Sequence, residues 1–260
     1  MLHSTSITNG ILIPKYYNPE IELELDLLHA NHKLLRIGDL EKARSISMKT
    51  GVEVGKMAYG TGKIPFIRTS DLSNWEIKAD YKHGVSKEIY DEILMGVPDK
   101  SKKAKRKTEQ ARGTDVRAGD ILLVRDGTYL IGTSAIVTAN DLPMLYQSHI
   151  IRIRVEDEKA IDPWLLFASL NTPVVKKQIR AKQFTQDIID TIGKRLSEVI
   201  VPIPHDADWR KKISEEMKYV IEERAKLRAR AQEISLLTQG LSGTAGEEDA
   251  DTEVLYGPTD

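Results

Sequence analysis

Cysteine is absent from all 260 residues. That one absence removes disulfides, thiolate metal sites and cysteine nucleophiles together, and it fits a reducing cytoplasm. Long apolar runs are missing too. No stretch approaches the roughly 18 uninterrupted apolar residues of a membrane span, and nothing resembles a signal peptide, so a cytoplasmic protein without membrane contact is expected. A net excess of either charge is also lacking, because the formal balance is -1. The balance conceals segregation: Asp99 to Arg117 holds eight Lys/Arg against three acids, whereas Leu241 to Asp260 holds six acids and no base.

Catalytic constellations are missing as well. The six histidines are scattered, and His29 and His32 have no adjacent carboxylate of the kind that metal sites use. There is no G-x-S-x-G elbow. Tyr59-Gly60-Thr61-Gly62-Lys63 is followed by Ile64, where a phosphate loop needs Ser or Thr, so a hairpin loop is the expectation there. Asp99, followed far downstream by Asp157-Glu158-Lys159, is the one pattern that suggests Mg²⁺-assisted phosphodiester hydrolysis. No catalytic residue, metal or cofactor is assigned.

What is present centres on Arg117 to Val155. Gly119-Asp120 punctuates the start, Ile121 to Val124 reads as a buried strand, and Arg125-Asp126-Gly127 makes a turn into a second β-rich run, Thr128 to Val137. A third strand, His149 to Val155, alternates Ile and Val with Arg152 and Arg154, which predicts one apolar and one basic face. Ile64 to Leu72 reads as a strand, and Ser86 caps a helix carrying Ile89, Tyr90 and Ile93. Glu20 to His32 is strand or helix. Pro98 to Thr114 has no apolar period and reads as a long solvated loop. Asp162-Pro163 and Thr172-Pro173 each open a helix, and Leu196 to Pro204 is a closing strand.

From Asp208 to Gln239 glycine and proline vanish until the end. Ile213, Met217, Val220, Arg224, Leu227, Ala231 and Ile234 follow steps of four and three, a heptad seam on a helix of roughly 45 Å. The expected organisation is therefore α/β (α+β): a mixed-sheet domain over residues 1–204, a long coiled-coil helix over 205–240 for dimerisation or partner docking, and an acidic, disordered tail over 241–260. Ile213, Met217, Val220, Leu227 and Ile234 are the predicted contact residues of the helix.

Basic and amide side chains suggest a duplex-binding surface. Lys100, Lys102, Lys103, Lys105, Arg106 and Lys107 suit phosphates, as do Lys176, Lys177, Arg180 and Lys182. Side chains able to read base edges lie in four groups: Arg68, Thr69 and Ser70; Arg125, Thr128 and Tyr129; Gln147, Ser148 and His149; and Gln183, Thr185 and Gln186.

Taken in order, IPFIRTSDL (Ile64 to Leu72), RAGDILLVRDGTYLIG (Arg117 to Gly132), QSHIIRIRV (Gln147 to Val155), DPWLLFASL (Asp162 to Leu170) and LSEVIVPIP (Leu196 to Pro204) before a long helix resemble one target recognition domain. The family is the specificity subunits of type I restriction-modification systems, here in single-domain form. The resemblance implies a non-catalytic subunit that reads double-stranded DNA and directs a partner adenine methyltransferase, with a restriction subunit or a second copy of the chain as further partners. The Asn/Asp-Pro-Pro-aromatic motif of such methyltransferases is absent, since Asn18-Pro19 continues with Glu20. Two other classes stay open: an interaction adaptor working through the helix, and a Mg²⁺ nuclease.

Overall fold

The computed structural model describes residues 11–73, 75–95, 115–127, 129–186 and 189–241. Lys100, Lys102, Lys103, Lys105, Arg106 and Lys107, together with Thr128 and the acidic tail from 242, lie outside the described residues, as do the side chains of Thr185 and Gln186.

Helix α1 (Pro19–Leu28) settles the ambiguous N-terminal stretch. The Asn18 side chain accepts from the Glu20 amide at 3.1 Å, Pro19 occupies the first helical turn, and Ile21, Leu25 and Leu28 at steps of four and three turn one face to the core. Then follow β1 (His32–Arg36), α2 (Ile37–Lys42), β2 (Ile46–Thr50), β3 (Ile64–Ile67), β4 (Leu72–Ser73), β5 (Glu76–Ile77) and β6 (Gly84–Val85). Ser86 Oγ accepts from the Ile89 amide at 3.3 Å to open α3 (Lys87–Met95), as its position before an amphipathic run predicts. The centre of the chain supplies β7 (Ile121–Val124), β8 (Ser134–Ile136), β9 (Leu145–Tyr146) and β10 (Ile150–Val155). Next come α4 (Pro163–Leu170), α5 (Pro173–Lys182), β11 (Phe184–Gln186), β12 (Ile189–Thr191), β13 (Ile200–Pro204) and α6 (Ala207–Leu241). Asp162 accepts from the amides of Trp164 and Leu165, both at 2.9 Å, and so satisfies the start of α4.

The sheets are mixed. A four-stranded antiparallel sheet has the order β2-β10-β7-β8, β1 pairs with β13, and β3 lies between antiparallel β6 and parallel β9. Along β7 and β8 both faces of the four-stranded sheet are buried. Ile121 and Leu123 face a core built with α2, α4, α5 and α6, while Leu122 and Val124 face a second core with Ile67, Leu72, Ile77 and Tyr146. That explains the unbroken ILLV run, since a strand covered on both sides needs no polar alternation. The run expected from Thr128 to Val137 contracts to β8 because Gly127 and Gly132 take positive φ (138° and 82°) and turn the chain before pairing begins.

The alternation in β10 is as expected, but its second face is not solvent-exposed. Ile151, Ile153 and Val155 enter the first core, whereas the Arg152 and Arg154 side chains are only 3% and 11% exposed. The 115–120 segment covers them. Arg154 donates from Nε and Nη2 to the two Asp120 carboxylate oxygens, both at 2.7 Å, and from Nη1 to Asp115 at 3.1 Å. Arg152 Nη1 donates to the Asp115 carbonyl at 2.6 Å. Burial opposes ionisation of Asp115, yet the hydrogen bond and charge of Arg154 and the charges of Arg152 and Arg117 hold its carboxyl below the usual carboxylate range. The expected basic strand face is therefore an internal ion-pair cluster.

Helix α6 divides its seam between two environments. Ile213 and Met217 pack on the first core with buried Ile221, and buried Ala225 follows one turn on, so the helix leans on its own domain through a face drifting from Ile213 to Arg228. Val220, Leu227 and Ile234 point outward, at 41%, 68% and 53% exposure. Polar ties run alongside: Arg224 to Glu76 at 2.9 Å, Arg228 Nη1 to the Ile77 carbonyl at 2.6 Å, Arg228 to Asp141, and Gln232 to the Ala79 carbonyl at 3.2 Å. From Glu233 to Thr238 the side chains are exposed. Among the described residues, no helix is long and apolar enough to cross a membrane.

Candidate nucleic-acid interface

The site is organised by Asp126, 8% exposed where the chain leaves β7. Its Oδ2 accepts from Arg125 Nε at 2.8 Å, from Arg125 Nη2 at 2.5 Å and faces His149 Nδ1 at 2.9 Å; its Oδ1 accepts from the Thr191 hydroxyl. The backbone reinforces this arrangement. The amides of Arg125 and Asp126 both donate to the His149 carbonyl, at 2.8 and 3.3 Å, and the Gly127 amide donates to the Asp190 carbonyl at 3.0 Å. Burial opposes a charge on Asp126, but hydrogen bonds from Arg125, Thr191 and His149 outweigh it and hold the carboxyl below its ordinary range. An ionised carboxylate thus grips one edge of the Arg125 guanidinium. The side chain remains 29% exposed, and Nη1 has no hydrogen-bond partner among the described residues.

Around this cluster the structure gathers several residues singled out by their chemistry. Tyr129, in the loop after Gly127, is 95% exposed. Gln183 ends α5, its amide donating to the Ile179 carbonyl at 3.0 Å, and leads into the β11–β12 hairpin that carries Thr185 and Gln186 on one strand and Thr191 on the other. The isolated bridge between Asp126 and Thr191 joins that hairpin to the Arg125 turn. Arg125, Tyr129, His149 and the hairpin therefore form one edge. Lys194, from the 3-10 turn Gly193–Glu198, joins them by lining with Arg125 an open cleft of 420 Å³.

Other candidates are placed differently. The Gln147 amide donates to the Ile67 carbonyl at 2.9 Å, and the residue is 7% exposed, so its side chain lies behind the surface. Ser148 donates to the Glu53 carboxylate. Arg68 is drawn inward: its backbone amide donates to Asp71 at 2.8 Å, its Nη1 lies 3.1 Å from His83 Nε2, and its buried Nε has no hydrogen-bond partner among the described residues. Thr69 and Ser70 form the 3-10 turn that follows, with Ser70 exposed. The basic stripe expected on α5 is largely neutralised. Lys177 pairs with Glu24, and Lys182 pairs with Glu198 at 3.3 Å and lies 4.2 Å over the Tyr16 ring. Lys176 donates to the Gly132 carbonyl, and burial with the nearby Arg180 charge depresses its pKa to about 8. Arg180 is exposed and makes no ion pair with the described residues.

Sequence reasoning missed two features. Lys194 gave no signal, because only tertiary packing sets its turn beside Arg125. The second is a stack of Tyr59 on His83, 4.3 Å between centroids at 20°, next to Arg68. In the sequence, Tyr59-Gly60-Thr61-Gly62-Lys63 reads only as a phosphate-loop look-alike, and nothing local pairs its tyrosine with His83. Asp157 is taken up in a local turn, accepting from the Lys159 amide at 3.0 Å. Among the described residues, no three His, Asp or Glu side chains gather as a metal site would require.

No family model and no curated protein matches the sequence. Among solved structures, a chain from a study of complex assembly and conformational transition of the type I R-M system aligns with a TM-score of 0.46 and 14% identity over 88% of this chain and 50% of that one. The type I restriction-modification S subunit from M. genitalium aligns with a TM-score of 0.48 and 12% identity over 88% of this chain and 52% of its own length. The HsdS subunit from Thermoanaerobacter tengcongensis aligns with a TM-score of 0.42 and 16% identity, over 82% and 46% of the two chains. This chain thus spans about half the length of each.

Proposed function

We propose that this chain is a non-catalytic DNA-recognition subunit of a type I-like restriction-modification or phage-defence complex. In that role it would direct a partner adenine methyltransferase, with or without a restriction subunit, to its site. The observation that carries the reading is the edge where Arg125, Tyr129 and His149 meet the β11–β12 hairpin. A guanidinium held by an ionised carboxylate on one side keeps its other side for a base edge or a phosphate, and an exposed aromatic and amide-bearing hairpin beside it suit a groove. The ordered series of motifs from Ile64 to Pro204 supports the same assignment.

Position is transmitted, in this reading, through the outward stripe Val220, Leu227 and Ile234 of α6. That stripe takes either the companion subunit or a second copy of this chain. The test is purification of the untagged native complex followed by duplex binding at several salt concentrations. Co-purification of a methyltransferase and salt-sensitive, sequence-dependent retention are the expected results. The exposed stripe equally suits a plain interaction adaptor, and a complex that holds a protein partner but ignores duplex DNA at low ionic strength would select that alternative.

A further inference from the structure

Asp126 sets both the direction and the net charge of what Arg125 offers. Its Oδ2 takes Nε and Nη2 of the guanidinium, at 2.8 and 2.5 Å, and so occupies the side edge of the fork. The other Nη2 hydrogen and those of Nη1 make up the end-on edge, which stays free of that grip. Among the described residues, buried side-chain nitrogens without a partner occur at Arg68 Nε and Arg152 Nε, so Arg125 Nη1, unpaired there too, is open to solvent. The carboxylate is anchored from behind. The Thr191 hydroxyl holds Oδ1 and His149 Nδ1 lies 2.9 Å from Oδ2, so the fork is presented outward in a fixed direction.

Charge decides what such a fork takes. Arg125 and Asp126 are neutral as a pair. A phosphate on Nη1 would sit across a single guanidinium from the Asp126 carboxylate, well inside the screening length of about 8 to 10 Å, and repulsion from it would offset much of the attraction. Asp190, whose carbonyl takes the Gly127 amide, adds a further acid to the adjoining hairpin. Among the other charged residues lining the cleft, exposed Lys49 and Glu41 are opposite in sign. Lys194, exposed and without an ion pair among the described residues, is the cation there that suits a phosphate. A base edge carries no net charge and asks only for directed donors. In the major groove guanine presents two adjacent acceptors, O6 and N7, whereas adenine and cytosine each present an amino donor and thymine a single acceptor beside its methyl. We infer that Arg125 is a specificity-determining residue that reads a guanine through its end-on edge, with Asp126 as the residue that positions it. The inference rests on the reading of this chain as a DNA-recognition subunit and, within that reading, assigns Arg125 to a base rather than to the backbone.

The full chain, with the companions that co-purify with it, is offered a library of random duplexes, and the enriched duplex is then titrated at several salt concentrations. The unaltered chain is expected to enrich a site containing a guanine whose preference depends on Arg125. Arg125→Lys keeps the charge but not the fork, and is expected to lose about tenfold in preference at that position while other positions and the salt dependence stay as they were. Asp126→Asn is expected to lower the same preference and to steepen the slope of log affinity against log salt by about one, because the uncovered arginine charge then takes a phosphate. Adding Arg125→Ala to Asp126→Asn should remove that extra slope, an effect that loss of packing alone does not produce. Should Asp126→Asn fail to fold, Arg125→Lys decides alone. A selected site without guanine, or a guanine preference unchanged in Arg125→Lys, overturns the inference. So does an Arg125→Ala chain that binds every duplex more weakly by the same factor with a slope reduced by about one, the mark of a phosphate contact. Failure of the unaltered chain to enrich any sequence overturns the DNA-recognition reading itself, a result visible before any variant is compared.

Discussion

Removing one member of the buried cluster under β10 is expected to destabilise the domain out of proportion to any surface ion pair. Arg154→Met keeps the apolar stem but leaves Asp120, 1% exposed, without the guanidinium that meets both its oxygens at 2.7 Å. Among the described residues, the Arg117 amide at 2.8 Å would be the remaining donor to that carboxylate. Breaking a buried pair from one side costs about 3–5 kcal/mol, against a median of about 0–1 kcal/mol for exposed pairs. With domain stabilities of about 5–15 kcal/mol, such a loss moves the urea midpoint far to the left. Asp120→Asn should cost less than Arg154→Met, because the amide keeps a hydrogen-bonding oxygen. The double variant should recover much of the loss, since neither charge is then left alone. Urea unfolding of the four proteins closes the cycle. A loss below about 1 kcal/mol for Arg154→Met, or simple additivity in the double variant, would refute the claim that these charges depend on one another.

Acid should act on the candidate site. Asp126 is held below its ordinary pKa when folded, so its contribution to stability is complete above the unfolded value of about 4 and is lost as pH falls through the folded one; Asp126→Asn should flatten that part of the stability profile. Lys176 behaves oppositely at the alkaline end. Its folded pKa of about 8 lies below the ordinary lysine value of 10.5, so the unfolded chain binds more protons between those values and stability relative to Lys176→Met should rise over that range. Ile221→Ala, at a residue 2% exposed where α6 meets the first core, should cost about 2–5 kcal/mol by chemical denaturation. Leu227→Glu, at 68% exposure, should leave that stability unchanged and, under the proposed role of the outward stripe, break any assembly that light scattering records for the unaltered chain; an assembly that survives the change would rule that role out.

Local signals were legible where neighbouring residues decide them. The Ser86 and Asp162-Pro163 starts, the ILLV strand and the long C-terminal helix follow from capping chemistry and periodicity alone, whereas the alternating then clustered leucines after Asn18-Pro19 left strand and helix open until packing chose the helix. The alternation of β10 was equally legible, but what covers each face was not: period two separates two sides without saying that Asp115 and Asp120 close over one of them. The same limit hid the neutralisation of the α5 lysines, whose acidic partners Glu24 and Glu198 lie far away in sequence. Gln147 disappeared from the surface for a related reason. The chain at Gly51 crosses so close behind it that a Cβ there would sit 2.1 Å from the Tyr146 carbonyl oxygen. At the candidate edge, residue types were legible one group at a time, while their convergence depends on the Asp126–Thr191 bridge between segments some sixty residues apart.

Helix α6 begins against one core, with Ile213, Met217 and Ile221, and is then fastened by Arg224, Arg228 and Gln232 to segments that border the other. It serves as a splint across both. Rocking one half of the molecule against the other would require those fastenings to break in concert. The stretch beyond Gln232, about 13 Å at 1.5 Å per residue, therefore inherits the orientation of the whole body and acts as a rigid handle rather than a tether.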